Sequence, residues 1–114
     1  MNNNQLFGDQ FNAFAGTTTG ASITATQAVG TNTNVYITDI AASASSANGL
    51  LIVKSGSTII YEAQLLTTAA GFSAFDESFV TPLKGTKGTQ ITATVSGAAG
   101  TMTTAINGYT LADA

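Results

Sequence analysis

Leu50-Leu51-Ile52-Val53-Lys54-Ser55-Gly56-Ser57-Thr58-Ile59-Ile60-Tyr61-Glu62-Ala63-Gln64-Leu65 reads as two β-strands joined by a tight turn, and it sets the fold class. Ile59, Tyr61, Ala63 and Leu65 alternate with Thr58, Ile60, Glu62 and Gln64. A period of two places the first set against a core and the second toward water. Lys54-Ser55-Gly56-Ser57 supplies the turn, so the stretch is expected to be a β-hairpin. In the run before the turn, Leu51 and Val53 point one way and Leu50 and Ile52 the other. Apolar side chains on both faces predict a central strand.

The same texture runs outward in both directions from this hairpin. Ile23, Ala25 and Val29 alternate with Ser22, Thr24 and Thr26. Val35 and Ile37 open a further run, but its apolar parity then jumps to Ile40 and Ala42. That jump implies either a bulge near Thr38-Asp39 or a strand covered on both faces. After a loop of small residues at 66–72, Phe75 and Phe79 flank a strand that is expected to end at Thr81-Pro82. Proline cannot donate to a ladder, so this end belongs at a sheet edge or outside the sheet. Leu83 to Thr89 is a Gly-rich connection. Ile91, Ala93 and Val95 then alternate with Thr92, Thr94 and Ser96, and 96–100 is expected to turn the chain into Thr101–Tyr109 as a second hairpin. About seven short strands without a long amphipathic helix predict an all-β fold, a single antiparallel β-sandwich or barrel. Immunoglobulin-like and jelly-roll topologies share this periodicity.

The first twenty residues differ from the rest. Asn2, Asn3, Asn4, Gln5, Gln10 and Asn12 are interleaved with Leu6, Phe7, Phe11 and Phe14, followed by Gly16-Thr17-Thr18-Thr19-Gly20. Phenylalanines at 7, 11 and 14 have the spacing of one helical face. The chain therefore divides into an N-terminal arm, 1–20, and a sandwich domain, 21–114. The arm either covers a groove on its own domain or lays Leu6, Phe7, Phe11 and Phe14 on a neighbouring molecule, because buried aromatics dominate contact energy.

Composition excludes more than it selects. The 114 residues contain no His, Cys, Trp or Arg, and the charged side chains are Lys54, Lys84, Lys87, Asp9, Asp39, Glu62, Asp76, Glu77 and Asp113. Most groups that serve acid–base, nucleophilic and metal chemistry are missing, so no catalysis and no cofactor are expected. Charged residues make up 8% of the chain against a usual ~25%. Little like-charge repulsion keeps copies apart, and association is the expected habit. Three lysines and a net charge of −3 do not suit a row of phosphates, which argues against nucleic acid. The run Leu50-Leu51-Ile52-Val53 is too short to cross a bilayer, no basic-then-apolar leader opens the chain, and folding in a cytosol is the simpler expectation.

Few motifs carry chemistry. Asp76 and Glu77 are adjacent carboxylates, yet neighbours on a strand point to opposite faces, so they read as rim charges that discourage edge pairing. A weak calcium site would need Asp39, Glu62 or Asp113 to approach one of them. Gly85-Thr86-Lys87-Gly88-Thr89 has only a superficial likeness to a phosphate loop, because Gly88 follows the lysine where Ser or Thr is required. Thr92, Thr94, Thr103 and Thr104 read as outward threonines that could form a flat array facing a partner. Tyr36, Tyr61 and Tyr109 are the tyrosines able to stack on sugars.

Four segments carry a resemblance over roughly two thirds of the chain: Val35-Tyr36-Ile37-Thr38-Asp39-Ile40 with its small-residue tail, Leu50 to Ile60, Phe79-Val80-Thr81-Pro82-Leu83-Lys84-Gly85-Thr86, and Gln90 to Gly97. Their order resembles the jelly-roll decoration, or cement, proteins on the heads of tailed bacteriophages. The resemblance implies a virion-surface protein that is folded in the host cytoplasm and binds the major capsid protein. It also implies a homotrimer that bridges shell subunits. The rival is a receptor- or glycan-binding module of a phage tail fibre or baseplate, which would use Tyr36 or Tyr109.

Overall fold

The computed structural model describes residues 9–17, 22–46, 49–65, 73–96 and 99–112. Its strands are β1 (Asp9–Thr17), β2 (Ser22–Gln27), β3 (Thr33–Ser46), β4 (Gly49–Ser55), β5 (Thr58–Leu65), β6 (Ser73–Lys84), β7 (Ile91–Ser96) and β8 (Ala99–Ala112). They form two four-stranded sheets, β1-β8-β3-β6 and β2-β7-β4-β5. Every pairing is antiparallel. The pairs β1·β8, β2·β7, β3·β6 and β4·β5 are nested around the β4–β5 hairpin and alternate between the sheets. That is a long ribbon rolled into a sandwich, the jelly-roll topology.

Alternation explains the core. Val35, Ile37, Ile40, Ala42 and Ala44 of β3 and Met102 and Ile106 of β8 face Leu51 and Val53 of β4 and Ile91, Ala93 and Val95 of β7, all buried. Among the described residues two polar side chains are buried with them, and each is paired. Ser55 Oγ accepts the Thr86 N–H at 2.7 Å, and Thr104 Oγ1 donates to the Ala41 carbonyl at 3.2 Å. Satisfied in this way, neither incurs the penalty of an orphaned buried polar group. At one side of the sandwich Tyr61 of β5 reaches across to β6, 5.4 Å from Phe79 edge-on and 6.0 Å from Phe75. Burial raises the Tyr61 pKa, and the Glu77 carboxylate raises it further.

Several expectations from the sequence are met. β4 and β5 form the hairpin, with Gly56 at φ 62° in the first central position of its two-residue turn. β4 is central in its sheet. The register of β3 shifts between Ile37 and Asp39 against both neighbours, which is the bulge. Pro82 lies on edge strand β6, within the stretch 79–82 that has no ladder partner.

Others need correction. β6 continues past Pro82, because Leu83 and Lys84 rejoin the ladder opposite Ile37 and Tyr36. Ile59 faces outward, 49% exposed, and Ile60 packs against the core. The cause is a second bulge: Val53 pairs with Tyr61 but Lys54 pairs with Ile59, so Ile60 is the extra residue. β7 and β8 do not form a hairpin, since they lie in different sheets. Thr104 faces the core while Thr103 faces out. There are eight strands among the described residues, because Asp9–Thr17 is a strand along the whole of its pairing with β8. Ala13 is buried and Phe11 and Ala15 pack beside it, so period-two burial overrode the helical spacing of the phenylalanines.

The glycine-rich connection after β6 also has a clear role. Gly85 N–H donates to the Val35 carbonyl at 3.0 Å, and Gly88 N–H to the Thr33 carbonyl at 2.9 Å. Both amides are committed to backbone carbonyls and so are not free to cradle a phosphate.

Candidate functional site

Cross-strand register assembles the outer face of the β1-β8-β3-β6 sheet into rows of side chains. One row is Gln10, Tyr109, Tyr36 and Lys84, and the next is Asn12, Asn107, Asp39 and Ser78. In the first row Tyr36 and Tyr109 stack with centroids 5.0 Å apart and planes 20° from parallel. The Lys84 ammonium lies 5.9 Å from the Tyr36 centroid. In the second row Asp39 is held by two hydroxyls: Ser78 Oγ donates to Oδ1 at 2.6 Å and Thr38 Oγ1 to Oδ2 at 2.9 Å. The Asn107 carbonyl is a second acceptor for Thr38, at 3.3 Å.

The β3 bulge opens a groove between these rows. It has a volume of about 500 Å³ and is lined by Gln10, Phe11, Asn12, Thr38, Asp39, Asn107, Gly108 and Tyr109. Its floor is β8 at Gly108, and the extra residue Thr38 lifts one wall. Asp39 has a pKa below its ordinary value of 3.8, chiefly because of the Ser78 hydrogen bond and then that of Thr38, against a smaller opposing effect of burial. A depressed carboxylate stabilises the fold fully above its unfolded-state pKa, and the contribution disappears as pH falls through the lower folded value. Asp39→Asn is therefore expected to lower the Tm at pH 7, with the gap to wild type closing as pH falls below the ordinary carboxylate value of 3.8 and through the lower folded value. A gap of constant size across a pH series of thermal melts would remove this role for Asp39.

The outer face of the other sheet has a different character. Its rows are Ser22, Ser96, Leu50 and Gln64; Thr24, Thr94, Ile52 and Glu62; and Thr26, Thr92, Lys54 and Ile59. Thr24 and Thr94 share a hydroxyl hydrogen bond of 2.9 Å. Lys54 and Glu62 are the charges in these rows, and Leu50 and Ile52 stand half-buried at the middle with Ile59 exposed beside them. It is a charge-poor surface of hydroxyls around an aliphatic strip.

Of the four residues expected to bind a partner, Phe11 and Phe14 fall within the described residues. Leu6 and Phe7 lie outside the described residues. Phe11 turns toward the core and lines the groove, whereas Phe14, 67% exposed, stands on the outer face. Asp76 is exposed on edge strand β6 and Glu77 faces the other way. Among the described residues no three acidic groups converge on a cation position. Of the tyrosines, Tyr61 is committed to the Phe75 and Phe79 contacts, and Tyr36 and Tyr109 share the open face. Asn12, Asn107 and Thr38 were missed in the sequence, and only the parity jump at Thr38-Asp39 could have pointed to them.

No protein-family profile matches the chain, and no curated protein matches it significantly. Among solved structures, the chain is similar to TmCBM61 in complex with β-1,4-galactotriose, at 18% identity and a TM-score of 0.43, covering 89% of this chain and 70% of that one. It is also similar to the virus-like particle protein of the extra small virus of the giant freshwater prawn Macrobrachium rosenbergii. There the identity is 13% and the TM-score 0.39, covering 92% of this chain and 81% of that one. The jelly-roll assignment rests on this chain's own strand order.

Proposed function

We propose that this protein is a non-enzymatic structural component of a bacteriophage particle. In this reading it decorates the capsid and stabilises it by bridging major capsid protein subunits, as a homotrimer. The observation that carries the reading is the charge-poor outer face of the β2-β7-β4-β5 sheet, where Leu50, Ile52 and Ile59 lie among serine and threonine hydroxyls with two charges in its rows. Strand spacings make that face on the order of 400 Å², about half of the ~800 Å² per partner of a standard stable interface. One copy would bind a shell weakly. Several copies joined in an oligomer multiply the weak contact through avidity, which is why a trimer suits this face.

Ile52→Lys places a charge at the centre of the strip. The variant is expected to keep its thermal stability to within about 1 kcal/mol, as surface changes do, and to lose sedimentation with isolated phage heads. Wild-type protein is expected to raise the temperature at which those heads disrupt. A monomer at micromolar concentration that neither binds heads nor protects them sinks the reading. A second reading, a receptor- or glycan-binding module of a tail fibre or baseplate, is favoured by the Tyr36–Tyr109 stack beside the groove.

A further inference from the structure

We infer that the groove at the β3 bulge is a binding site for a neutral carbohydrate, with Tyr109 as the stacking platform and Asp39, Asn12, Asn107 and Gln10 as the groups that address its hydroxyls. This inference rests on the second reading, that of a glycan-binding module, and deepens it by naming the ligand class and the residues; it is independent of the docking role. The groove lies on the outer face of the opposite sheet, so each can fail without the other.

Three features select this ligand. The first is the aromatic ring. Tyr109 stands between Tyr36 on β3 and Gln10 on β1, with Tyr36 stacked on one side, and Tyr109 is the tyrosine that borders the groove. Tyr109 borders the groove, and its ring supplies an apolar surface for the C–H face of a pyranose. Lys84 lies over the Tyr36 ring and completes the other end of the row.

The second feature is the polar set around that ring. The side-chain amides of Gln10, Asn12 and Asn107 make no hydrogen bond within the chain among the described residues. Each offers a donor and an acceptor, which matches a hydroxyl that both gives and receives. Asp39 is fixed by one hydroxyl on each oxygen, and each carboxylate oxygen has a further lone pair. A carboxylate oriented before the ligand arrives loses little freedom on binding. The fixed acceptor beside an aromatic face is suited to a pair of neighbouring sugar hydroxyls.

The third feature is charge and backbone pairing. Asp39 is the charged side chain of the groove lining, and Lys84 is outside it. An anionic ligand would meet that carboxylate unopposed, so sulfated and sialylated sugars are disfavoured. An extended peptide would need unpaired backbone groups to add a strand. Here β8 and β3, the floor and one wall, lie inside the sheet with strands on both sides, and the bulge residue Thr38 is the one position of that wall outside the ladder, too little for an added strand. The volume of about 500 Å³ falls within the roughly 300–1,000 Å³ of small-ligand sites.

The test is binding of the full chain to immobilised short neutral oligosaccharides of glucose, galactose, mannose and N-acetylhexosamine, with sialylated and sulfated glycans alongside. At least one neutral glycan is expected to bind at millimolar affinity or better, and the anionic set more weakly. Tyr109→Ala is expected to reduce affinity at least about tenfold, the scale of one lost aromatic contact. Tyr109→Phe is expected to retain most of it. Asn12→Ala changes an exposed side chain on an edge strand, where folding is not at stake, and is expected to weaken the same glycan. Tyr109→Ala is expected to leave head binding unchanged. Retention of no neutral glycan, preference for the anionic set, or unaltered affinity in both Tyr109→Ala and Asn12→Ala overturns the assignment.

Discussion

Gly108→Ala is expected to unfold the protein or to leave it at the edge of folding. A Cβ at this position points into the sandwich and collides with the Tyr36 carbonyl oxygen, and it also comes within 3.0 Å of Ile37 Cα and of Phe11 Cζ. Two of those three neighbours are backbone, which cannot rotate away as a side-chain tip can. The strand cannot move either, because β8 is hydrogen-bonded to β1 on one side and β3 on the other, with Gly108 opposite Phe11 and Ile37. Overpacking in a tight core costs roughly 1–3 kcal/mol, and a backbone collision on a doubly paired strand belongs at or above the top of that range. A domain with about 5–15 kcal/mol of total stability loses a large part of it, which appears as a fall in Tm of roughly 10 °C or more. Gly16→Ala is the control. There the added atom meets the Phe14 ring at 3.4 Å, an exposed side chain on edge strand β1, and little change is expected. A Gly108→Ala protein that melts with the wild type in circular dichroism would mean that β3 and β8 are not held this closely.

Leu51 and Ile52 are expected to respond in opposite ways to the same substitution. Leu51 is fully buried between the sheets, and Ile52, its neighbour, stands half-buried on the outer face opposite Thr94 and Glu62. Leu51→Ala should cost about 2–5 kcal/mol through lost burial and the cavity left behind. Leu51→Lys adds a charge with no partner in that cavity and is expected to prevent folding. Ile52→Lys should leave a folded protein, because its ammonium reaches water beside Glu62. The measurement is urea unfolding of both variants. Equal destabilisation of the two would show that the second face of β4 is covered as well, and the docking surface would be lost with it.

The local pattern was legible wherever a strand kept a strict period of two. Ile91, Ala93 and Val95, or Leu51 and Val53, announce their face because alternate side chains on a pleated strand must point the same way. The β3 bulge was legible for the same reason in reverse: the spacing from Ile37 to Ile40 breaks the alternation, and only an extra residue restores the inward face. The β5 bulge was silent, because Ile59 and Ile60 are equally apolar and exchanging them leaves no mark on the pattern. The N-terminal phenylalanines misled because a spacing of four then three is a helical signal, whereas β8 already offered an edge to pair with.

What the sequence by itself determined is the class: an all-β chain with an apolar side to most strands, few charges and almost no reactive side chains. Which strand pairs with which was settled by tertiary structure alone. Gln10, Asn12, Asp39, Asn107 and Tyr109 come from both ends and the middle of the chain, and they meet because β8 pairs with β1 on one side and β3 on the other. The alternation of β7 and of β8 fits a hairpin equally well, and the tertiary structure places the two strands in different sheets. Alternation is a property of one strand and its two faces. Register and sheet membership are properties of pairs far apart in sequence, decided by which set of backbone hydrogen bonds and buried faces can all be satisfied at once.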